Sequence, residues 1–225
     1  MMSEEEWLAG VSASRMLQTV NRYAGGRALA RKCRLLTCHL LRRVARLTPD
    51  PQFLHAVEVA ERHQEGDATL AEVAAAVHEA SRHHWTGLDP VSTGLAKAVG
   101  SFLALQPLAG ASSAAGACVW AYGIGRGPVT DASTERASAE IAPLIRCVFG
   151  NPFRQVAVAA TWRTATAIGL ARGMYDTKDF GAMPILADAL EDAGCDAADV
   201  LAHCRDPRAG HVRGCWVVDQ VLGRG

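Results

Sequence analysis

Apolar residues recur along this chain with the period of a helix. The clearest stripe is Leu29, Cys33, Leu36, Leu40, Val44 and Leu47, stepping by three and four over about five turns. Helix boundaries are marked as plainly. Ser3-Glu-Glu-Glu6 and Thr69-Leu-Ala-Glu72 are capping boxes, in which a hydroxyl and a carboxylate satisfy each other's backbone donors. Ser14 is placed to cap a helix through Met16, Leu17, Val20 and Tyr23, with Gly25-Gly26 breaking it. Asp50-Pro51 opens a helix through Phe53 and Val57 that Gly66 ends. Asp89-Pro90 starts another, and Ala117 to Tyr122 reads as one or two turns. Thr130 or Asp131 caps a helix through Ile141, Leu144, Ile145 and Val148, stopped by Gly150-Asn151-Pro152. A helix from about Thr164 carries Ala167, Leu170, Ala171 and Met174 on one face.

The end of the chain is punctuated most densely. Pro184 suits a first turn, and Leu186 and Leu190 follow at helical spacing. Gly194 stands where a left-handed residue would stop that helix. Asp196 is placed to cap the next, which carries Val200, Leu201 and Cys204 on one face and ends at Asp206-Pro207. Gly214 opens a last short helix with Cys215, Val218 and Leu222 on one stripe. The pattern predicts an all-α fold of about nine short-to-medium helices in an irregular bundle. The glycines at 123, 125 and 127 mark the division between an N-terminal half, 1–127, and a C-terminal half, 128–225, expected to share one core. A Leu190→Ala change is expected to cost far more than changes at His211 or Arg213, on the loop before the last helix.

Composition sharpens this. Alanine is abundant, aromatics are few, and runs of β-branched residues are nearly absent, which favours helix over sheet. Lysine plus arginine equals aspartate plus glutamate, so net charge draws the chain to neither nucleic acid nor membrane. The charge is unevenly placed, however. Arg27, Arg31, Lys32, Arg34, Arg42, Arg43 and Arg46 form a basic stretch without an acid, while Asp188, Glu191 and Asp192 lie in an acidic one. These read as solvated faces that could also dock on each other or on a partner. Cys33 lies on the apolar stripe, whereas Cys38 lies among the basic residues and is expected to be accessible. An odd number of irregularly spaced cysteines, an acidic start and no bilayer-length apolar run imply a cytoplasmic protein with reduced thiols.

Several phrases resemble a family of uncharacterised bacterial helical proteins. Glu5-Glu-Trp-Leu8, Arg31-Lys-Cys-Arg-Leu-Leu36 and Ala56-Val-Glu-Val-Ala-Glu-Arg62 are similar to its N-terminal part. Phe149-Gly-Asn-Pro-Phe-Arg154, the block Pro184 to Cys195, His203-Cys-Arg205 and His211-Val-Arg-Gly-Cys-Trp-Val-Val-Asp219 are similar to its C-terminal part. Residues from about 81 to 131 match nothing in it. The resemblance implies a helical module and transfers no activity or site. The phrase Ala187 to Gly194 is also similar to a helical motif of accessory modules, which points toward interaction with an unidentified protein partner.

Three chemistries compete with that reading. Cys195, His203, Cys204, His211 and Cys215 are soft or imidazole ligands within one short stretch, and His211 and Cys215 have ligand-pair spacing for zinc. There is no Cys-x2-Cys knuckle, and Cys204 and Cys215 fall on apolar faces, where thiols pack as small hydrophobes. The expectation is that these residues do not converge on one ion. Cys215, near Arg213 and His211 in a first helical turn, is also a candidate nucleophile, with packing beside Trp216 as the competing role. The basic stretch 27–46 is the best candidate for nucleic acid but lacks interleaved aromatics. The two short helices around Gly194 resemble a helix-turn-helix only faintly, since Asp196 and Asp199 would repel phosphate. The triple-glycine phrase follows no strand, and adjacent carboxylates such as Glu191 and Asp192 suit solvation rather than acid–base work. The sequence therefore points to a non-enzymatic interaction or accessory module, with zinc-binding and nucleic-acid-associated alternatives.

Overall fold

The computed structural model describes residues 2–10, 12–23, 27–45, 51–84 and 131–224. Among them the protein is all-α, with ten helices and no strand. They are α1 (Glu4–Ala9), α2 (Ala13–Tyr23), α3 (Arg27–Ala45), α4 (Pro51–Glu65), α5 (Leu70–His84), α6 (Asp131–Phe149), α7 (Ala165–Thr177), α8 (Met183–Asp192), α9 (Ala198–Arg205) and α10 (Trp216–Leu222). No described helix is long and apolar enough to cross a membrane. Backbone contacts group the chain into two compact units, Met1–Ala142 and Pro143–Gly225. The expected helices at 89–105 and 117–122, the Gly25-Gly26 break, the glycines at 123–127 and the boundary they would mark lie outside the described residues.

In the first unit, both capping boxes form. Ser3 N donates to Glu6 Oε2 at 2.8 Å, and Glu6 N donates to Ser3 Oγ at 3.2 Å. Thr69 and Glu72 repeat the exchange at 2.7 and 3.2 Å. The start of α2 differs from expectation. Arg15 N donates to Ser12 Oγ, so the helix begins two residues earlier and Ser14 lies inside it. α4 packs against both α3 and α5.

α3 is buried more widely than its stripe suggests. Cys33, Leu36 and Leu40 are inside as expected, but so are Leu35, Thr37, Cys38 and Leu41. The expectation of an accessible Cys38 is thus corrected. A helix covered on several sides has no separate solvated face for its cations. Instead they reach α4: Arg42 forms two parallel hydrogen bonds to Glu61, at 2.6 and 2.9 Å, and lies 3.8 Å from Glu58. Arg31 pairs with Glu65 at 3.5 Å, and Arg34 reaches Gln64. Arg43 donates to the Glu140 carbonyl. The side chains of Arg27 and Arg46 lie outside the described residues.

In the second unit, α8 touches α7 and α9, and α10 touches α7 and α9. Leu186, Leu190, Val200, Val218 and Val221 are fully inside. α8 ends in a Schellman motif: Gly194 (φ +87°) donates to Glu191 O and Cys195 N donates to Leu190 O, both at 2.9 Å. Cys195 then packs inward with Leu190. The following helix lacks the expected cap. α9 begins at Ala198 after an Ala197 N-cap with no side-chain bond, because Asp196 is one residue too early. The irregular segment before α7 is held by one amide: Val158 N donates to Gln220 Oε1 at 2.7 Å, and Gln220 Nε2 donates to Val156 O at 3.1 Å. Leu190 is fully buried among helices too short to persist alone. Leu190→Ala is expected to cost about 2–5 kcal/mol, and urea denaturation would check it. A change below about 1 kcal/mol would show that α8 contributes little to the core.

Candidate metal centre

The site is assembled from a helix end, a shaped loop and one distant helix. His203 stands near the end of α9, where Asp206 caps the helix. The chain then turns twice: Arg208 N donates to Asp206 Oδ1 at 2.9 Å, and Cys215 N donates to Val212 O at 2.9 Å. Between these turns, Arg213 Nε donates to Tyr175 O at 2.7 Å and Arg213 Nη2 to Asp176 O at 3.3 Å. A guanidinium on the last carbonyls of α7 suits the negative end of that helix. It also lies 5.0 Å over the Tyr175 ring. These contacts tie the loop to the unit.

The fold brings four ligands together: Cys147 from α6, His203 from α9, His211 from the loop, and Cys215 at the N-cap of α10. One ligand atom from each lies within 4.8 Å of all the others. His203 Nε2 is 3.3 Å from Cys215 Sγ, and His211 Nδ1 is 3.9 Å from Cys147 Sγ. A tetrahedral zinc with two sulfur and two nitrogen ligands has edges of about 3.3–3.8 Å. Two of the separations lie near that range and the rest are at most 4.8 Å, so an ion would have to draw the longer edges in. A two-iron cluster would hold its ligands in two separated pairs, so one ion fits better. Both sulfurs are inside and both histidines are half-buried.

Ring contacts orient the imidazoles. His203 and His211 meet edge to face, with centroids 4.8 Å apart, and the Trp216 ring lies 5.4 Å from His203. Gly150 makes room for that indole: a Cβ there would sit 3.3 Å from it, at a φ of +70°. Burial alone would push the Cys215 thiol up. The Cys147 thiol and the two imidazoles around it outweigh burial and hold it well below the ordinary thiol value. By contrast, burial pushes the Cys204 thiol up, and Cys195 shifts the same way for the same first cause. His211 Nδ1 faces Cys147, while its Nε2 is buried without a hydrogen-bond partner, a costly state.

The sequence expectation is that the C-terminal cysteines and histidines do not converge on one ion, and the structure brings three of those five side chains together. His203, His211 and Cys215 do converge. Cys195 and Cys204 do not join them: Cys195 follows the Schellman turn onto Leu190, and Cys204, the residue after His203, points to the core face with Val200. The fourth position belongs to Cys147, which sequence reasoning missed. It lies 64 residues before His211, between Ile145 and Val148, where a cysteine reads as an ordinary core residue. Its placement two residues before the Phe149-Gly-Asn-Pro phrase is the one local signal.

The cluster can hold a metal. As a site for nucleophilic catalysis on a substrate larger than a small oxidant it is poorly disposed, because Cys147 and Cys215 are both 0% exposed. The other charged candidates are engaged within the units: Arg42 on Glu61, and the acidic Asp188 and Glu191 on Arg205 at 2.8 and 2.6 Å. No protein-family model, no curated protein and no solved structure matches the chain.

Proposed function

We propose that the chain is a non-enzymatic helical accessory module whose C-terminal unit closes around a structural zinc ion bound by Cys147, His203, His211 and Cys215. The observation that carries this reading is the mutual approach of two sulfurs and two imidazole nitrogens within 4.8 Å. Two thiolates and two imidazoles are a ligand set suited to zinc, and a four-coordinate closed site is structural rather than catalytic. Burial of both sulfurs supports a structural role, since it leaves the ion inside the packed helices. The engagement of Arg31, Arg34, Arg42 and Arg43 within their own unit weighs against a nucleic-acid role for the basic stretch. Membership in the bacterial helical family belongs to the same proposal: His211 and Cys215 lie in the phrase His211 to Asp219, and His203 opens the phrase before it.

The test is metal analysis of untagged full-length protein purified without chelator. About one zinc per chain is expected, and cobalt(II) substituted for it should show tetrahedral and thiolate absorption bands. Cys147→Ser and Cys215→Ser should abolish binding, while Cys195→Ser and Cys204→Ser should retain it. Protein that remains well below one zinc per chain after reduction and zinc addition would overturn the reading. So would full occupancy in Cys147→Ser or Cys215→Ser.

A further inference from the structure

We propose that Cys147 and Cys215 are a redox pair, which hydrogen peroxide converts to a disulfide with release of the zinc ion. The proposal rests on the zinc reading above and adds a response to it. The two sulfurs belong to one cluster whose ligand atoms all lie within 4.8 Å. A disulfide requires about 2.05 Å, so one side of the pair must move by only a few ångströms. The mobile partner is assigned to the loop side. Cys147 is fixed in the last turns of α6, whereas Cys215 precedes α10 on a turn closed by its own N–H to Val212 O. His203 and His211, half-buried, are the more exposed members of the cluster, so the approach of a small oxidant is assigned to their side. Cys195 and Cys204 belong to the same packed core but not to the group of ligand atoms, and Cys204 is the neighbouring thiol with which Cys147 would compete for Cys215.

The chemistry balances as follows. The Cys215 thiolate attacks one peroxide oxygen, the O–O bond breaks, and hydroxide leaves; Cys215 is now a sulfenic acid. The Cys147 thiolate attacks that sulfur, the S–S bond forms, and a second hydroxide leaves. Two electrons pass from the two sulfurs to the peroxide, and two protons from solvent convert the hydroxides to water. Zinc loses both thiolates together. Two imidazoles are half of a structural coordination shell and do not retain it at ordinary affinity. Reduction of the disulfide by a dithiol restores both ligands.

The experiment uses full-length protein, reduced and loaded with zinc, with the metal content measured before oxidation. Hydrogen peroxide is added, released zinc is followed with a colorimetric chelator, and disulfides are mapped by mass spectrometry after alkylation. The expected result is one zinc released per Cys147–Cys215 disulfide, with full rebinding after dithiothreitol and zinc. Cys195→Ser should behave like the parent protein. Retention of zinc under peroxide, release with a disulfide elsewhere, or stepwise over-oxidation of Cys215 without a disulfide would each overturn the proposal and leave the zinc reading standing. Absence of zinc at the first measurement would instead remove the zinc reading, and this inference with it.

Discussion

Chelating zinc from the full-length protein is expected to destabilise the C-terminal unit by about 5 kcal/mol or more. Structural zinc contributes about 10–16 kcal/mol in peptides that have no core without it. This unit has one, built from Leu186, Leu190, Val200 and Val218, so the loss should be smaller. It should still be large, because chelation leaves two fully buried sulfurs without the charge that organises them. Thermal unfolding with and without a strong chelator would measure it. Hydrogen exchange would locate it, with protection lost in α9, α10 and the loop between them and retained in α3 and α4. Identical melting of chelated and zinc-loaded protein would count against a structural ion.

A second large effect is expected in the other unit. Arg42→Ala should cost about 3–5 kcal/mol, the usual penalty for stranding one member of a buried ion pair. The side chains of Arg42 and Glu61 are 26% and 4% exposed, so the carboxylate bears the greater penalty. The Glu61 hydrogen bonds also hold Arg42 charged to still higher pH than an ordinary arginine. Replacing both residues together, Arg42→Leu with Glu61→Leu, should recover most of the loss, since no charge is then buried. Urea denaturation of the single and double variants would separate the effects. A double variant as unstable as Arg42→Ala would mean that lost packing, not charge, sets the cost.

Features encoded by neighbouring residues were legible in the sequence. The boxes at Ser3 and Thr69 and the Gly194 stop depend on residues three or four positions apart, and all three form. His211 and Cys215 stood out by their spacing, but the contacts at 3.3 and 3.9 Å pair His203 with Cys215 and His211 with Cys147, which the spacing does not report. Properties set by distant packing were not legible. Cys38 is buried because α3 is covered on more than its striped face, and a single helix's pattern does not report how many neighbours it has. The basic stretch resembled a solvated face because its acidic partners, Glu58, Glu61 and Glu65, belong to the next helix. Cys147 was illegible as a ligand for the strongest form of this reason: nothing local distinguishes a metal thiol from a core thiol. The failed Asp196 cap is different. There the residue type was right and its position was off by one, which local backbone geometry decides.

The long separation between Cys147 and the other ligands also bears on kinetics. A contact spanning 64 residues forms only after much of the loop-closure entropy has been lost. Zinc coordination should therefore follow the docking of α7 through α10 rather than nucleate it. An interaction absent from the transition state leaves the folding rate nearly unchanged and slows unfolding instead. On this account, the ion acts as a latch on the finished unit, lengthening its lifetime rather than hastening its formation.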